Sequence, residues 1–293
     1  MSGRDPSEIW ESGLDEGERR LGRGWAGLAA TAFAGGADVF FSILVLAVTS
    51  AGLHEVMPEA PAHVIASVTF GIGFAFITLG RAELFTENFL LPVGAVWAGR
   101  AKLASLLRMW VVTMVLNFGG LALFAALFAI SGVVSASVLD TAGTMADTLG
   151  ERSALAAFAS AIAAGTIMTL FTWVVAAAES SGARLAASLL VGFVLAAPTL
   201  NHAIVGFGEM IFGLFAGTAA SGWGDLARNV AIAIAGNVLG GVGLVFGTRL
   251  AQVRGEPGSE SGAHQPGDGN GRGGHGTLTG PPDRSPAVVE ARP

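Results

Sequence analysis

Two short stretches concentrate the side chains that could do chemistry. The first is GRAELFTEN, residues 80–88, which places Arg81, Glu83, Thr86 and Glu87 inside an otherwise apolar run. The second is LNHAIVGFGEM, residues 200–210, which does the same with Asn201, His202 and Glu209. Imidazole, with an ordinary pKa near 6.5, can change charge close to neutrality. Set in apolar sequence, it can donate a hydrogen bond or a proton to an anion, because a neutral acid crosses an apolar barrier far more cheaply than a charge. The other reading is a histidine that ties a bent chain to its neighbour. The carboxylates also have a structural reading. Glu83, Glu87 and Glu209 can cap the free N–H groups that open a half-helix, where the positive dipole end favours them. Arg81 then pairs with one of them, or draws anions into a vestibule.

The elements that must hold these residues are membrane spans. Of 293 residues, 52% are apolar and 13% charged, against roughly 25% charged in a soluble domain. About 20 apolar residues cross about 30 Å of hydrocarbon. Apolar blocks run over 25–53, 61–97, 103–130, 154–178, 185–220 and 226–250. The second and fifth are too long for one helix and polar in the middle, at 81–88 and 198–209. Broken helices fit both facts, with the polar breaks facing protein or water, since lipid satisfies no backbone group. The expectation is an all-α membrane protein of six spans, with spans 2 and 5 broken and both termini on one side. Arg19, Arg20, Arg23, Arg100, Lys102, Arg184, Arg249 and Arg254 fall on the side of the termini, and only Arg152 and Arg228 on the other. That bias predicts cytoplasmic termini. Residues 1–24 then form a retained cytoplasmic segment, 25–250 a transmembrane channel domain, and the Gly/Pro/Ser-rich 251–293 a disordered cytoplasmic tail.

The halves resemble one another. Gly36 in span 1 has a counterpart in Gly165 of span 4. Arg108 and Asn117 of span 3 match Arg228 and Asn237 of span 6, and Phe85-Thr86-Glu87 matches Phe207-Gly208-Glu209. Three spans per copy make the repeat inverted, and paired interrupted segments point to a site at the midplane.

Several chemistries are excluded or thin. Without cysteine there is no thiolate nucleophile and no Cys-ligated metal. No basic stripe suits nucleic acid. A lone intramembrane histidine without a partner one turn away is a poor metal ligand set, so no metal, cofactor or enzymatic role is expected. A neutral-solute pore of the water/glycerol type remains an alternative, although the two Asn-Pro-Ala boxes usual there are absent. A pore-shaped sensor also stays open.

The Ala-Glu-Leu-Phe-Thr run and the histidine segment resemble the formate/nitrite transporter family over roughly residues 25–250. The resemblance implies an aquaporin-like fold and a homopentamer with one pore per subunit. The implied site is the bacterial inner membrane, and the implied cargo a small monovalent anion such as formate or nitrite, moved with or without a proton. By position, Phe70 and Leu84 would form a cytoplasmic-side apolar constriction, with Leu195 near the periplasmic one. Thr86 would supply the hydroxyl of the first break and His202 the central imidazole, with Asn201 beside it. The chain departs from the family pattern at Arg81, where many members have glycine, at Asn201, where many have glutamate, and at Gly206, where many have asparagine. Arg152 is the cation nearest the position of an expected lysine.

Overall fold

The computed structural model describes residues 3–255; the expected tail lies almost wholly outside the described residues. Every regular element among them is helical. α1 spans Pro6–Leu21, α2 Trp25–His54, α3 Glu59–Thr69 and α4 Gly71–Gly80. A tight 3-10 turn, Phe85–Phe89, leads into the short α5, Leu91–Trp97. Then follow α6 (Leu103–Phe128), α7 (Ala136–Gly150), α8 (Ala154–Ala177), α9 (Ser181–Ala196), α10 (Ala203–Ala216) and α11 (Trp223–Val238). A π-wound stretch, Leu239–Phe246, joins α11 to α12 (Gly247–Arg254), so helix persists beyond position 250.

Five stretches are long and apolar enough to cross a membrane: α2, Glu59–Gly80, α6, α8 and Trp223–Arg254. α9 and α10 are apolar but only 16 and 14 residues long, short of a crossing on their own. The chain between them is not helical. The interruption falls at Thr199, whose φ of 51° lies in the left-handed region, while Ala197 just before Pro198 keeps helical angles. In the first break, α4 stops at Gly80 and Arg81 turns left-handed, with φ 56°. Pro92 restarts the helix in the first turn of α5, a position that needs no amide donor.

Glycine sets how closely the helices approach. A Cβ on Gly36 of α2 would overlap the main chain of Asn117 in α6, and one on Gly165 of α8 would overlap that of Asn237 in α11. Gly71 and Gly192 bring α4 and α9 into backbone contact in the same way. Such small-residue seams are how helices associate where lipid is as apolar as leucine. α1 is amphipathic. Trp10, Leu14 and Leu21 are buried, and the first two pack against Leu90, Leu91, Trp173 and Phe246. Each such side chain contributes about 1.5–3 kcal/mol by leaving water.

Candidate functional site between two chain breaks

The two breaks are built alike. Arg81 and Thr199 both sit in the left-handed region, with φ 56° and 51°. After each, an amide reaches back to the preceding helix: Ala82 N to Ile77 O at 3.0 Å, Leu200 N to Leu195 O at 2.9 Å. An asparagine on the third helix of each half then clamps the extended chain. Asn117 Oδ1 accepts from Phe85 N (2.9 Å), and its Nδ2 donates to Glu83 O (2.9 Å) and Ala32 O (2.6 Å). Asn237 Oδ1 accepts from Ala203 N (2.9 Å), and its Nδ2 donates to Asn201 O (3.1 Å) and Ala161 O (2.8 Å). Arg108 donates to the carbonyls of Leu21 and Arg23, Arg228 to those of Gly150 and Arg152.

These bonds fix the correspondence: Glu83 matches Asn201, Leu84 matches His202 and Phe85 matches Ala203. The counterpart of Phe85-Thr86-Glu87 is therefore Ala203-Ile204-Val205. The match to Phe207-Gly208-Glu209 expected from sequence is a coincidence of composition, since that triplet lies one turn further on, inside α10.

His202 and Thr86 meet across the breaks. Thr86 Oγ1 lies 2.6 Å from His202 Nε2, and both side chains are fully buried. His202 is the N-cap of α10, and its Nδ1 accepts from Val205 N at 3.1 Å. A backbone N–H can only donate, so Nδ1 is unprotonated and Nε2 carries the hydrogen given to Thr86. Asn201 faces elsewhere. Its amide exchanges two hydrogen bonds with that of Asn229 (3.0 and 3.1 Å) and reaches Ala157 O (3.3 Å).

The charged residues are not arranged as expected. None of the three glutamates caps a helix: α10 is capped by His202, and α5 has no side-chain cap. Arg81 forms no ion pair with Glu83 or Glu87. Its left-handed backbone turns it outward, and it is exposed. Glu83, nearly fully buried, pairs instead with Arg23 (2.8 Å) and Arg20 (3.5 Å) from the N-terminal segment. Glu87 is buried with Oε1 lacking a hydrogen-bond partner. Glu209 lies in the second turn of α10, buried, beside a cavity.

Two cavities flank the breaks at opposite ends of α9. One, of about 270 Å³, is roofed by α1 and lined by Arg20, Arg23, Arg81, Glu83, Glu87 and, from the start of α9, Arg184. The other, of about 1000 Å³, is lined by His202, Glu209, Phe70 and, from the end of α9, Leu195. Phe70 thus shares a cavity with Leu195 rather than with Leu84, because the Gly71–Gly192 contact draws the α3–α4 junction toward α9. Leu84 and Thr86 are fully buried and line neither cavity.

Sequence reasoning missed three participants. His63 sits in α3 and lines the larger cavity, with Nε2 at 3.2 and 3.1 Å from the carbonyls of Ala196 and Ala197. Its place just inside the second apolar block was the available signal. Arg20 and Arg23 belong to the N-terminal segment, to which the sequence reading gave a cytoplasmic place but no part in the site. The apolar spacing of Trp10, Leu14 and Leu21 was the cue that this segment docks.

Comparison with known proteins agrees with this architecture. The family model described as "Formate/nitrite transporter" matches residues 7–251. The chain is 25% identical over 249 residues to Inner membrane protein YfdC of Escherichia coli, covering 84% of this chain and 78% of that protein. It is 24% identical over 251 residues to the formate channel BtFdhC of Bacillus thuringiensis, covering 84% and 94%. Among solved structures, an FNT family ion channel superposes with TM-score 0.73 at 18% identity, over 85% of this chain and 99% of that one. A pentameric formate channel with formate bound gives 0.64 at 17%, over 78% and 96%. A family match over residues 7–251, relatives covered over 78% and 94% of their lengths and a shared helical fold place this protein: it belongs to the formate/nitrite transporter family.

Proposed function

We propose that the protein is a channel or transporter for the anion of a small weak acid, such as formate or nitrite, in the bacterial inner membrane. The observation that carries this reading is the buried contact of Thr86 with His202, made where two equivalent chain breaks meet between two cavities. α9 and α10 together serve as the fifth passage, which makes six with the five long apolar stretches. The matched bonding of Asn117 and Asn237 and of Arg108 and Arg228 supports an inverted repeat of three spans. Cytoplasmic termini follow from the arginine bias, and the pentameric relative supports a homopentamer with a pore in each subunit. The domain reading becomes a docked N-terminal segment, a channel domain over 25–250 and a tail.

His202 acts in this reading as a hydrogen-bond donor. Protonating Nδ1 would break the cap it gives Val205 N, so the imidazole stays neutral in this arrangement. Thr86 accepts from Nε2 and keeps its own hydroxyl hydrogen for a passing substrate. Phe70 and Leu195 narrow the approach from the larger cavity, and Leu84 seals the layer toward α1. Asn201 contributes by anchoring its break to Asn229. Glu83 holds α1, while Arg81 and Glu87 face the anion in the α1 vestibule.

Reconstituted protein should take up formate or nitrite, and His202→Phe should lower that uptake by about tenfold or more, the equivalent of about 1.4 kcal/mol in a barrier. Flux of glycerol or water without acid or anion flux would instead favour a neutral-solute pore.

A further inference from the structure

The cavity under α1 holds more positive charge than its own carboxylates neutralise. Six arginines line it against Glu16, Glu83 and Glu87. Glu16 takes Arg19 and Arg20, at 2.6 and 2.8 Å, and Glu83 takes Arg23 at 2.8 Å. Glu87 pairs with none of them, and Arg4, Arg81 and Arg184 have no carboxylate partner among the described residues. Those three arginines come from separate places. Arg4 precedes α1, Arg81 is the left-handed residue of the first break, and Arg184 lies in the first turn of α9.

Two of them are drawn to one spot. Arg4 Nη1 donates to Ala176 O at 3.0 Å, and Arg184 Nη2 donates to Ala178 O at 3.4 Å, both at the C-terminal end of α8. Acceptors two residues apart are at most about 7 Å from one another along the chain. Carbonyls at a helix end favour a cation, which accounts for one bond from each guanidinium. Two like charges are still left side by side without a counter-charge. Arg184 Nε is also buried with no hydrogen-bond partner, and a buried donor left unbonded is costly. Arg4 Nη2 is spent on α1, on Glu8 O at 3.0 Å and Ser12 Oγ at 2.7 Å. Arg4 thus ties the charge of the cavity to the helix that roofs it.

We propose that this cavity is a binding site for a small multivalent oxyanion, of the phosphate or sulfate class, which fastens α1 to the channel. A dianion with several oxygens accepts from guanidinium forks on different elements at once. It answers the spare charges of Arg4, Arg81 and Arg184 together, and so bridges the chain before α1 to the first break and to α9. A monovalent anion of the cargo type answers one charge and offers fewer oxygens. The volume, about 270 Å³, lies below the roughly 300–1,000 Å³ of pockets that take drug-sized ligands. The occupant is therefore a bare oxyanion or a phosphate on a small carbon skeleton. A lipid headgroup phosphate is a diester with a single charge and matches three spare cations less well.

The site does not depend on what crosses the pore, so binding tests it whether or not the protein carries a weak acid. Full-length protein in detergent at pH 7.5 is titrated with sodium phosphate, and with sodium chloride at matched ionic strength. The thermal midpoint and the rate of tryptic cleavage at Arg19, Arg20 and Arg23 are followed. Phosphate is expected to raise the midpoint, as a ligand of the folded state does. It is expected to slow cleavage by about tenfold, because cleavage tracks the population with α1 open. Chloride is expected to do neither. Phosphate also stabilises folds generally, by exclusion from surfaces, so a variant decides. Arg184→Gln is expected to weaken the apparent phosphate affinity by about tenfold, or about 1.4 kcal/mol. Should R184Q not yield a folded protein, Arg4→Gln, ahead of the first helix, is expected to do the same. Equal effects of phosphate and chloride, or a phosphate effect unchanged in the folded variant, overturn the site. Nanodiscs with and without phosphatidylglycerol separate the two sources of phosphate. An effect of phosphate that persists in both supports a free anion, and one lost only with that lipid gives the site to headgroups and overturns the proposal.

Discussion

His202 stands where the first break has Leu84, and Thr86 where the second has Ile204, and these differences make the midplane chemically one-sided. One half offers an aliphatic plug and the other an imidazole. Among the described residues Thr86 is the one side chain bonded to His202 Nε2, so it is the residue to vary. Thr86→Val keeps the shape but strands a buried N–H, which costs about 1–3 kcal/mol. The expectation is a lower unfolding temperature and lost acid uptake, with Thr86→Ser restoring both. The Arg23–Glu83 pair gives a second test. Removing one partner of a buried pair costs about 3–5 kcal/mol. Arg23→Gln should therefore destabilise more than the double variant with Glu83→Gln, a coupling readable from a thermal double-mutant cycle. Glu16, on the face of α1, is a pH probe. Burial alone would raise its pKa, but hydrogen bonds and charge from Arg19 and Arg20 bring it down to about 2. A depressed carboxylate stabilises the fold at pH above its ordinary 4.5, and that contribution is lost as pH falls through about 2. Trp10 fluorescence should then be constant from pH 8 to 5 and shift to the red below about pH 3, with Glu16→Gln removing the acid-side component.

At the scale of elements, α1 is the part least legible in the sequence. Residues 1–24 read as a cytoplasmic segment whose docking partner the sequence does not name, and α1 lies on α5 and roofs a cavity. The reason is that its apolar stripe is narrow, and its partner surface, Leu90, Leu91, Trp173 and Phe246, is assembled from three distant stretches. Gly17 permits the contact, since a Cβ there would overlap the carbonyl of Leu91. Gly17→Leu should lift α1, at a cost of about 1–3 kcal/mol from overpacking, and expose Arg19, Arg20 and Arg23 to faster tryptic cleavage. The long apolar helices were plain from composition, because hydrocarbon demands the same run of residues whatever the neighbours. The breaks were visible as polar residues in apolar blocks. Their internal register was not, because Phe-x-Glu recurs by chance and only the asparagine bonds tell the two candidates apart.

For the whole molecule, two similar halves enclose two unlike cavities. The backbone clamps are duplicated while the linings diverge, with arginines under α1 and carboxylates with imidazoles at the far end of α9. A detergent-solubilised sample is expected to run as five copies of the chain by native mass spectrometry, and a monomer would count against the pentameric reading.

The amino-acid sequence alone determined that this is an all-helical membrane chain, and it carried the family motif. Those properties depend on local composition and on the price lipid sets for bare backbone. Only the tertiary structure decided which glutamate meets which arginine, that Asn201 turns to Asn229, that Phe70 joins Leu195 and that Glu209 lines a cavity with His202. Each of those depends on which distant helices touch, and spacing along one chain does not encode that.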